Sequence, residues 1–370
     1  MSELVLITGG AGFVGSHLAD RLLRERYRVR VLDSLTEQVH GASGWPGYLG
    51  GRVERVRGDV RDPGAVRAAL QGVAAVYHFA AAVGVGQSMY QVEYYTDVNN
   101  RGTAVLLEAL AEHRVRKLVV ASSMSVYGEG LYRDPSGALC SPPARDPKAL
   151  RAGSWDPRTG EQRLEPVATP ETKEPHPTSV YALSKYDQER LCLLVGASLG
   201  IPTAALRFFK VYGPRQALSN PYTGVLAIFS ARLLNGKPPV VFEDGHQRRD
   251  FVSVHDVVEA CVLALQSDQS DGEVFNIGSG ENYRVVEVAE SVARALGVTH
   301  VEPEITGAYR VGDIRHCFGD ITKAQELLRY RPRVSLSDGL EELAEWLKGQ
   351  RAEDRVEQMR SELVRRGLSS

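Results

Sequence analysis

Tyr181 and Lys185 stand four positions apart in Tyr181-Ala182-Leu183-Ser184-Lys185, and the chain opens with an apolar run into Gly9-Gly10-Ala11-Gly12-Phe13-Val14-Gly15. Four positions make one helical turn, so the phenol and the ammonium share a helix face. A phenol with a pKa near 10 is a poor base at neutral pH, and an adjacent ammonium and a cationic ring lower it. It then takes the proton of a sugar-like hydroxyl while hydride leaves the same carbon for an acceptor. By itself, Tyr-x-x-x-Lys is also what an amphipathic helix face shows. Behind a glycine turn and the serine-rich run Ser122-Ser123-Met124-Ser125, it reads as alcohol oxidation beside a nicotinamide cofactor. Ser123 would bond the same substrate oxygen and stabilise developing charge.

The glycine turn supplies the cofactor's place. Gly9, Gly12 and Gly15 follow a predicted strand and open a predicted helix. Glycines there allow a tight turn, a close backbone approach to pyrophosphate and close helix–strand packing, with the helix N-terminus facing the phosphates. Asp33 ends the next predicted strand, about 20 residues on, where a carboxylate accepts bonds from the adenosine ribose hydroxyls. It would repel a 2′-phosphate, and no basic residue follows in Ser34-Leu35-Thr36, so NAD is expected rather than NADP. Asp59-Val60 closes the third strand, either facing the adenine or as an ordinary strand end.

These residues need a scaffold, and the pattern supplies one. Short apolar strands are predicted at Leu4–Thr8, Val29–Asp33, Val53–Asp59, Ala74–Phe79, Lys117–Ser122 and Pro202–Phe208. Helices lie between them, at 12–26, Pro63–Leu70, Asn99–His113 and Ser179–Leu199. The fold class is α/β, a doubly wound parallel Rossmann sheet with ligands at the carboxyl ends of its strands. Pro214–Asn220 reads as a loop, Thr223–Asn235 as a helix and Pro239–Asp244 as a strand into a turn. Arg249–Val254 and Val274–Ile277 read as strands returning to the sheet or its edge, and Val285–Leu296 and Leu336–Lys348 as helices. The expected division is 1–211 for the cofactor domain, with 246–278 partly returning to it, 212–350 for a smaller C-terminal substrate lobe, and a charged tail 351–370. Glu129–Pro177 lacks sustained periodicity and reads as a long functional or decorative loop, to which Leu150, Trp155 and Leu164 give some means of packing. In the tail, Val356, Met359, Leu363 and Val364 recur at helical spacing, as in a solvated terminal helix or a partner-contacting one.

The 370 residues suffice for a large core, and a formal net charge of -2 favours neither nucleic acid nor a membrane surface. Cys140, Cys192, Cys261 and Cys317 are scattered, without a CxxC pair, which points to a reducing cytoplasm and to no metal site or disulfide framework. No signal peptide and no membrane-length apolar run are read from the sequence.

On Gly9–Gly15, Asp33, Gly58-Asp59-Val60, His78-Phe79-Ala80-Ala81, Asn99, Ser123 with Val126-Tyr127-Gly128, Tyr181-x-x-x-Lys185, Arg207–Pro214, Arg249-Asp250-Phe251, Asn276-Ile277-Gly278 and Arg310-x-x-Asp313, the chain resembles the extended short-chain dehydrogenase/reductase family of nucleotide-sugar epimerases and dehydratases. The resemblance spans Leu4 to Trp346. It implies cofactor contacts from Phe13, Val14, Phe79, Ala80, Ala81, Asn99 and Ser122 beside the residues already named. It implies a nucleoside diphosphate sugar in the second lobe, with Arg249 on the diphosphate and Arg310 and Asp313 near phosphate and ribose. Gly84, Ser123, Ser125, Lys210, Val225 and Val241 complete the expected substrate wall.

Within that family, dehydratases carry Asp-Glu just after the catalytic Ser/Thr, and sugar-nucleotide decarboxylases place a Glu nearby. Met124 and Ser125 stand here instead, so elimination lacks its acid and base and C4 epimerisation is expected. A 4-ketoreductase is the alternative, and a 4,6-dehydratase or a non-catalytic binding module are more distant ones. The segment 216–229 with Phe242–Gly245 looks most like the dTDP-L-rhamnose 4-epimerase subgroup. Lys210 replaces the family's usual Asn, adding charge by the phosphates or a partner for a carboxylate substrate. The resemblance also implies a homodimer through Asn99–His113 and Ser179–Leu199.

Overall fold

Every residue of Leu4–Thr8 is buried, which is what a strand covered by helices on both faces requires. It is an interior member of a seven-stranded parallel sheet, next to the central strand Ala75–His78. From one edge to the other the order is Val274–Ile277, Thr203–Phe208, Lys117–Ser123, Ala75–His78, Leu4–Thr8, Arg28–Asp33 and Glu54–Arg57. The computed structural model describes residues 2–222, 224–310 and 312–369, apart from the Ser43 side chain. The predicted doubly wound sheet is present, and its strand bounds differ from the sequence reading by a residue or two at the ends.

The strand register collects the chemistry. Thr8 pairs with His78, and Phe208 pairs with Ser123, so the carboxyl ends of neighbouring strands finish level. The glycine helix Phe13–Arg24 leaves from the Leu4–Thr8 strand, with Gly12 at its N-cap and no side chain closing its first turn. The tyrosine helix Val180–Leu199 is capped by Ser179, whose hydroxyl accepts from Ala182 N at 3.1 Å, and ends on Gly200 in the left-handed region. The predicted Asn99–His113 helix is an α-helix over Gly102–Glu112, entered through a wider π-helical turn at Asp97–Arg101.

Three elements depart from the sequence reading. Arg249–Val254 does not return to the main sheet. Asp250 is fully buried and its carboxylate accepts from Ser279 N and Oγ, both at 2.7 Å, which breaks the strand in two. Arg248–Arg249 pairs with Tyr283–Arg284 and His316–Cys317, whereas Phe251–Ser253 pairs with Lys210–Tyr212. Of the two segments expected at the sheet, Val274–Ile277 alone takes an edge.

Glu129–Pro177 is not a structureless loop. Leu131–Arg133, Leu139–Cys140 and Glu165–Val167 form a three-stranded antiparallel sheet, with a helix at Pro147–Arg151 between them. The strands are two or three residues long, too short for a period to register in the sequence. Leu150 and Leu164 are buried, and the segment is tied to the second lobe: Arg145 reaches Glu243, and Asp156 reaches Arg315 and His316.

The tail is neither solvated nor left open for a partner. The terminal helix Val356–Arg365 buries Val356, Met359 and Leu363 against Val240, with Tyr90, Tyr222, Ile228 and Phe242 packed around them; Val364 stays outside. The expected start of the Val225–Leu234 helix, Thr223, lies outside the described residues. Among the described residues, no helix is long and apolar enough to cross a membrane.

Candidate active site

A cleft of about 440 Å³ runs along the carboxyl ends of the strands, from the glycine turn to the start of the Val225–Leu234 helix. Its floor at one end is Gly9, Gly12, Phe13, Val14 and Gly15. Gly9 sits at φ +70°, and a Cβ there would lie 2.8 Å from Ala80 N, so the turn and the Phe79–Ala81 strand end touch backbone to backbone. A Cβ on Gly15 would lie 2.6 Å from Gly10 Cα, which is why the helix can start so close to the turn. The open first turn and the glycine cradle fit the pyrophosphate of NAD.

Asp33 lines the cleft beside the glycine turn. Its two oxygens accept from Ala11 N at 3.0 Å and Leu35 N at 2.9 Å, which fixes the carboxylate and leaves acceptor positions for ribose hydroxyls. Asp59 and Val60 line the cleft beyond it. Asp59 is gripped by Arg61, which also bonds Asp97 at 2.6 Å, and that hydrogen bonding holds the Asp59 carboxyl below its ordinary range. Arg61 was not anticipated from sequence, although it sits two residues past a motif Asp.

The catalytic end is built from two elements. Ser123 ends its strand, and its Oγ accepts from Ser125 N at 3.2 Å and from Ser125 Oγ at 2.8 Å. The Ser123 hydroxyl hydrogen is therefore left for the Tyr181 phenol, which it bonds. Tyr181 stands in the cleft wall with Lys185 one turn below. Burial pushes the Tyr181 phenol above its ordinary pKa, and the Ser123 bond offsets part of the rise. The expected lowering by Lys185 is not seen, because Lys185 Nζ donates to Gln188 Oε1 at 2.7 Å. Burial brings Lys185 itself down to about 8.

Gln188 was not anticipated, though it lies on the Tyr181–Lys185 helix face one turn further on. Its amide donates to Thr103 Oγ1 at 2.8 Å, and Thr103 donates to Asn99 O at 2.6 Å. His78 Nε2 faces the same Thr103 oxygen at 2.8 Å, while Nδ1 meets Thr8 Oγ1 at 2.8 Å. Thr103 has already given its only hydrogen to Asn99, so His78 carries its proton on Nε2. Burial holds this imidazole neutral, with a pKa of about 3. Beneath Ser122, the Glu189 carboxylate accepts from Ser122 Oγ at 2.6 Å and, in a two-pronged pair, from Arg207 Nε and Nη2 at 2.9 and 2.7 Å.

Ser122, Ser125, Gly84, Lys210 and Val225 line the cleft with the residues above. Others among the expected residues do not. Asn99 is fully buried and bonds Ala82 N at 2.7 Å, so it positions the loop below the cofactor site without facing it. Val241 is core of the second lobe. Arg249 donates to the carbonyls of Arg248, Ile314 and Arg315, so most of its guanidinium is engaged in holding backbone. Arg249 and Asp313 line a small side chamber with Ser125 and Lys210. Arg310 clasps Asp313 at 2.7 Å and stacks 4.7 Å over Phe242, and its charge draws the Asp313 carboxyl far below its ordinary pKa.

Comparison with known proteins agrees with this geometry. The profile of the NAD dependent epimerase/dehydratase family matches residues 5–278. The dTDP-L-rhamnose 4-epimerase of Burkholderia thailandensis is 36% identical over 347 residues, 93% of this chain and 94% of that protein. The crystal structure of Thermotoga maritima UDP-glucose 4-epimerase with UDP-glucose superposes with a TM-score of 0.77 at 31% identity, covering 93% of this chain and 98% of that one. The UDP-glucuronic acid 4-epimerase of Bacillus cereus, in complex with UDP-glucuronic acid and NAD, gives 0.75 at 30% identity, covering 93% and 99%. With a Rossmann sheet, a glycine cradle and a Ser-Tyr-Lys set around one cleft, this chain belongs to the NAD dependent epimerase/dehydratase family.

Proposed function

We propose that this protein inverts C4 of a nucleoside diphosphate sugar, most simply a dTDP- or UDP-sugar, with NAD retained through both half-reactions. One observation carries the reading. Among the described residues, the carboxylates lining the cleft are Asp33 and Asp59, both at the adenosine end of this reading, and Met124 and Ser125 follow the serine. Water loss from the sugar needs an acid and a base beside it, whereas epimerisation needs only a proton acceptor at the C4 oxygen.

Bound NAD supplies the hydride acceptor and a positive charge over the phenol. Tyr181 takes the C4 hydroxyl proton and gives it back after the 4-keto sugar has rotated. Ser123 gives its single hydrogen to the Tyr181 phenol before the sugar binds and turns it to the C4 oxygen once the sugar is in place. Lys185 is held by Gln188 under the cofactor position and keeps a positive charge within reach of it. In this reading residues 1–211 hold the cofactor and 212–350 the sugar nucleotide. The relatives support both bases, being named for a dTDP-sugar and for UDP-sugars.

Two further parts of the reading concern its setting. Leu183 and Leu194 on the tyrosine helix are 50% and 60% exposed, an apolar face suited to a second copy of the chain. A monomer by light scattering at micromolar concentration would remove the homodimer. The free cysteines suit the cytoplasm, which fractionation of the native host would test.

Incubation of purified protein, without added cofactor, with dTDP-, UDP-, GDP- and CDP-sugars decides the function, products being resolved by NMR at sugar C4. Inversion without net NADH is the expected result. Consumption of added NAD(P)H with a 4-keto sugar, and no inversion, would make the protein a ketoreductase.

A further inference from the structure

The 129–177 insertion grips the backbone on which Asp313 sits. Arg145 Nη2 donates to Asp313 O at 2.5 Å, Arg315 N and His316 N donate to the two Glu129 carboxylate oxygens at 2.5 and 3.1 Å, and Gly130 N donates to His316 O at 2.7 Å. Thr178, one residue before the Ser179 cap of the tyrosine helix, donates its hydroxyl to Gly312 O at 3.0 Å. The Asp313 side chain is tied to the same backbone. Its Oδ1 accepts from Ile314 N at 3.0 Å, and its Oδ2 accepts from Arg310 Nε and Nη2 at 3.1 and 2.7 Å. Any shift of residues 312–316 therefore carries the Asp313 carboxylate and the Arg310 guanidinium with it.

Arg145 joins this backbone to the rest of the brace. Its side chain is 8% exposed and lines neither the cleft nor the side chamber. Besides Asp313 O, it meets Glu243 Oε1 through Nη1 at 2.6 Å and Glu129 Oε1 through Nε at 3.5 Å. The other Glu243 oxygen accepts from Arg315 Nη1 at 2.9 Å. Holding the insertion to the second lobe needs only the carboxylates. The bond to Asp313 O is directed at the substrate end, and a rigid planar guanidinium with donors on three nitrogens reaches all three acceptors at once. We propose that Arg145 is a positioning residue for substrate binding: through Asp313 O it sets where the Arg310–Asp313 pair stands, which makes the insertion part of the substrate machinery. The proposal rests on the sugar-nucleotide reading and adds a residue that acts on the substrate end through another.

The test is Arg145→Lys and Arg145→Gln on the full chain, with Tm, bound NAD, KM and kcat measured for the nucleotide sugar that the unaltered protein inverts. Glutamine loses both the charge and the span, so Tm should fall and KM rise. Lysine keeps the charge and the pair with Glu243, but one ammonium on a flexible stem does not reproduce the planar span to Asp313 O. Arg145→Lys should therefore recover most of the lost Tm and leave KM raised about 10-fold, the effect of a displaced positioning group. Because Ser123, Tyr181 and Lys185 are untouched, kcat should stay within about threefold, the mark of lost binding rather than lost chemistry. If lysine restores KM along with Tm, Arg145 only packs the insertion and the proposal is overturned. A fall in kcat with KM unchanged would overturn it as well. If Arg145→Gln does not fold, a raised KM in folded Arg145→Lys supports the proposal and an unchanged one overturns it. If the unaltered protein inverts no nucleotide sugar, the sugar-nucleotide reading fails first and carries this inference with it.

Discussion

Lys185 Nζ donates to Gln188 Oε1 at 2.7 Å, and this bond joins the catalytic helix to the buried Thr103–His78–Thr8 chain under the strand ends. Gln188 is thereby the orienting partner of the ammonium. Replacing it with Leu removes an acceptor that favours the charged form, so Lys185 should deprotonate at lower pH than about 8. The expected result is a 10- to 100-fold loss in kcat/KM, on the order of one charge-assisted bond, with the alkaline limb of the pH profile moved downward. An unchanged profile would show that Gln188 only packs.

Tyr181→Phe removes the proton acceptor and leaves the ring. General base catalysis contributes roughly 10²- to 10⁴-fold, and kcat should fall by that amount while bound NAD stays near the level of the unaltered protein. Activity within tenfold would mean that another group takes the C4 proton.

Gly15→Ala places a Cβ 2.6 Å from Gly10 Cα and 2.7 Å from Gly9 O, both backbone atoms that cannot rotate away. The glycine helix must shift off the turn, which costs about 1–3 kcal/mol of stability. Loss of bound NAD from purified protein, read from its absorbance after heat release, is the expected outcome.

The terminal helix is held to the rest of the chain by Leu363, which is 2% exposed, lies against Gly86 from the first half, and shares its cluster with Tyr222 of the cleft wall. Leu363→Ala should cost about 2–4 kcal/mol in urea unfolding. Because Tyr222 lines the cleft and bonds Tyr90 at 2.7 Å, KM for the sugar nucleotide should rise more than kcat falls. A helix that were merely solvated would show neither effect.

The glycine turn, Asp33, Ser123 and the Tyr181–Lys185 pair were legible because each is a local pattern tied to one strand end or one helix face. Gln188 was legible in principle, being on that same face, but Arg61 and His78 became meaningful only through contacts across the sheet. The bonds of Asn99 to Ala82 and of Arg249 to the carbonyls of a chain segment more than sixty residues away were not legible, because each joins groups that meet only in the folded chain.

The sequence by itself determined the fold class, the cofactor type and the reaction chemistry, since hydrophobic period, glycine freedom and acid–base character are properties of residues and their near neighbours. Tertiary structure alone decided that Arg249–Val254 splits at Asp250, that the insertion is bolted to the second lobe through Arg145 and Asp156, and that the tail folds back onto Tyr90 and Tyr222. Those outcomes depend on which polar group meets which partner across long stretches of chain, and no local period or motif encodes that.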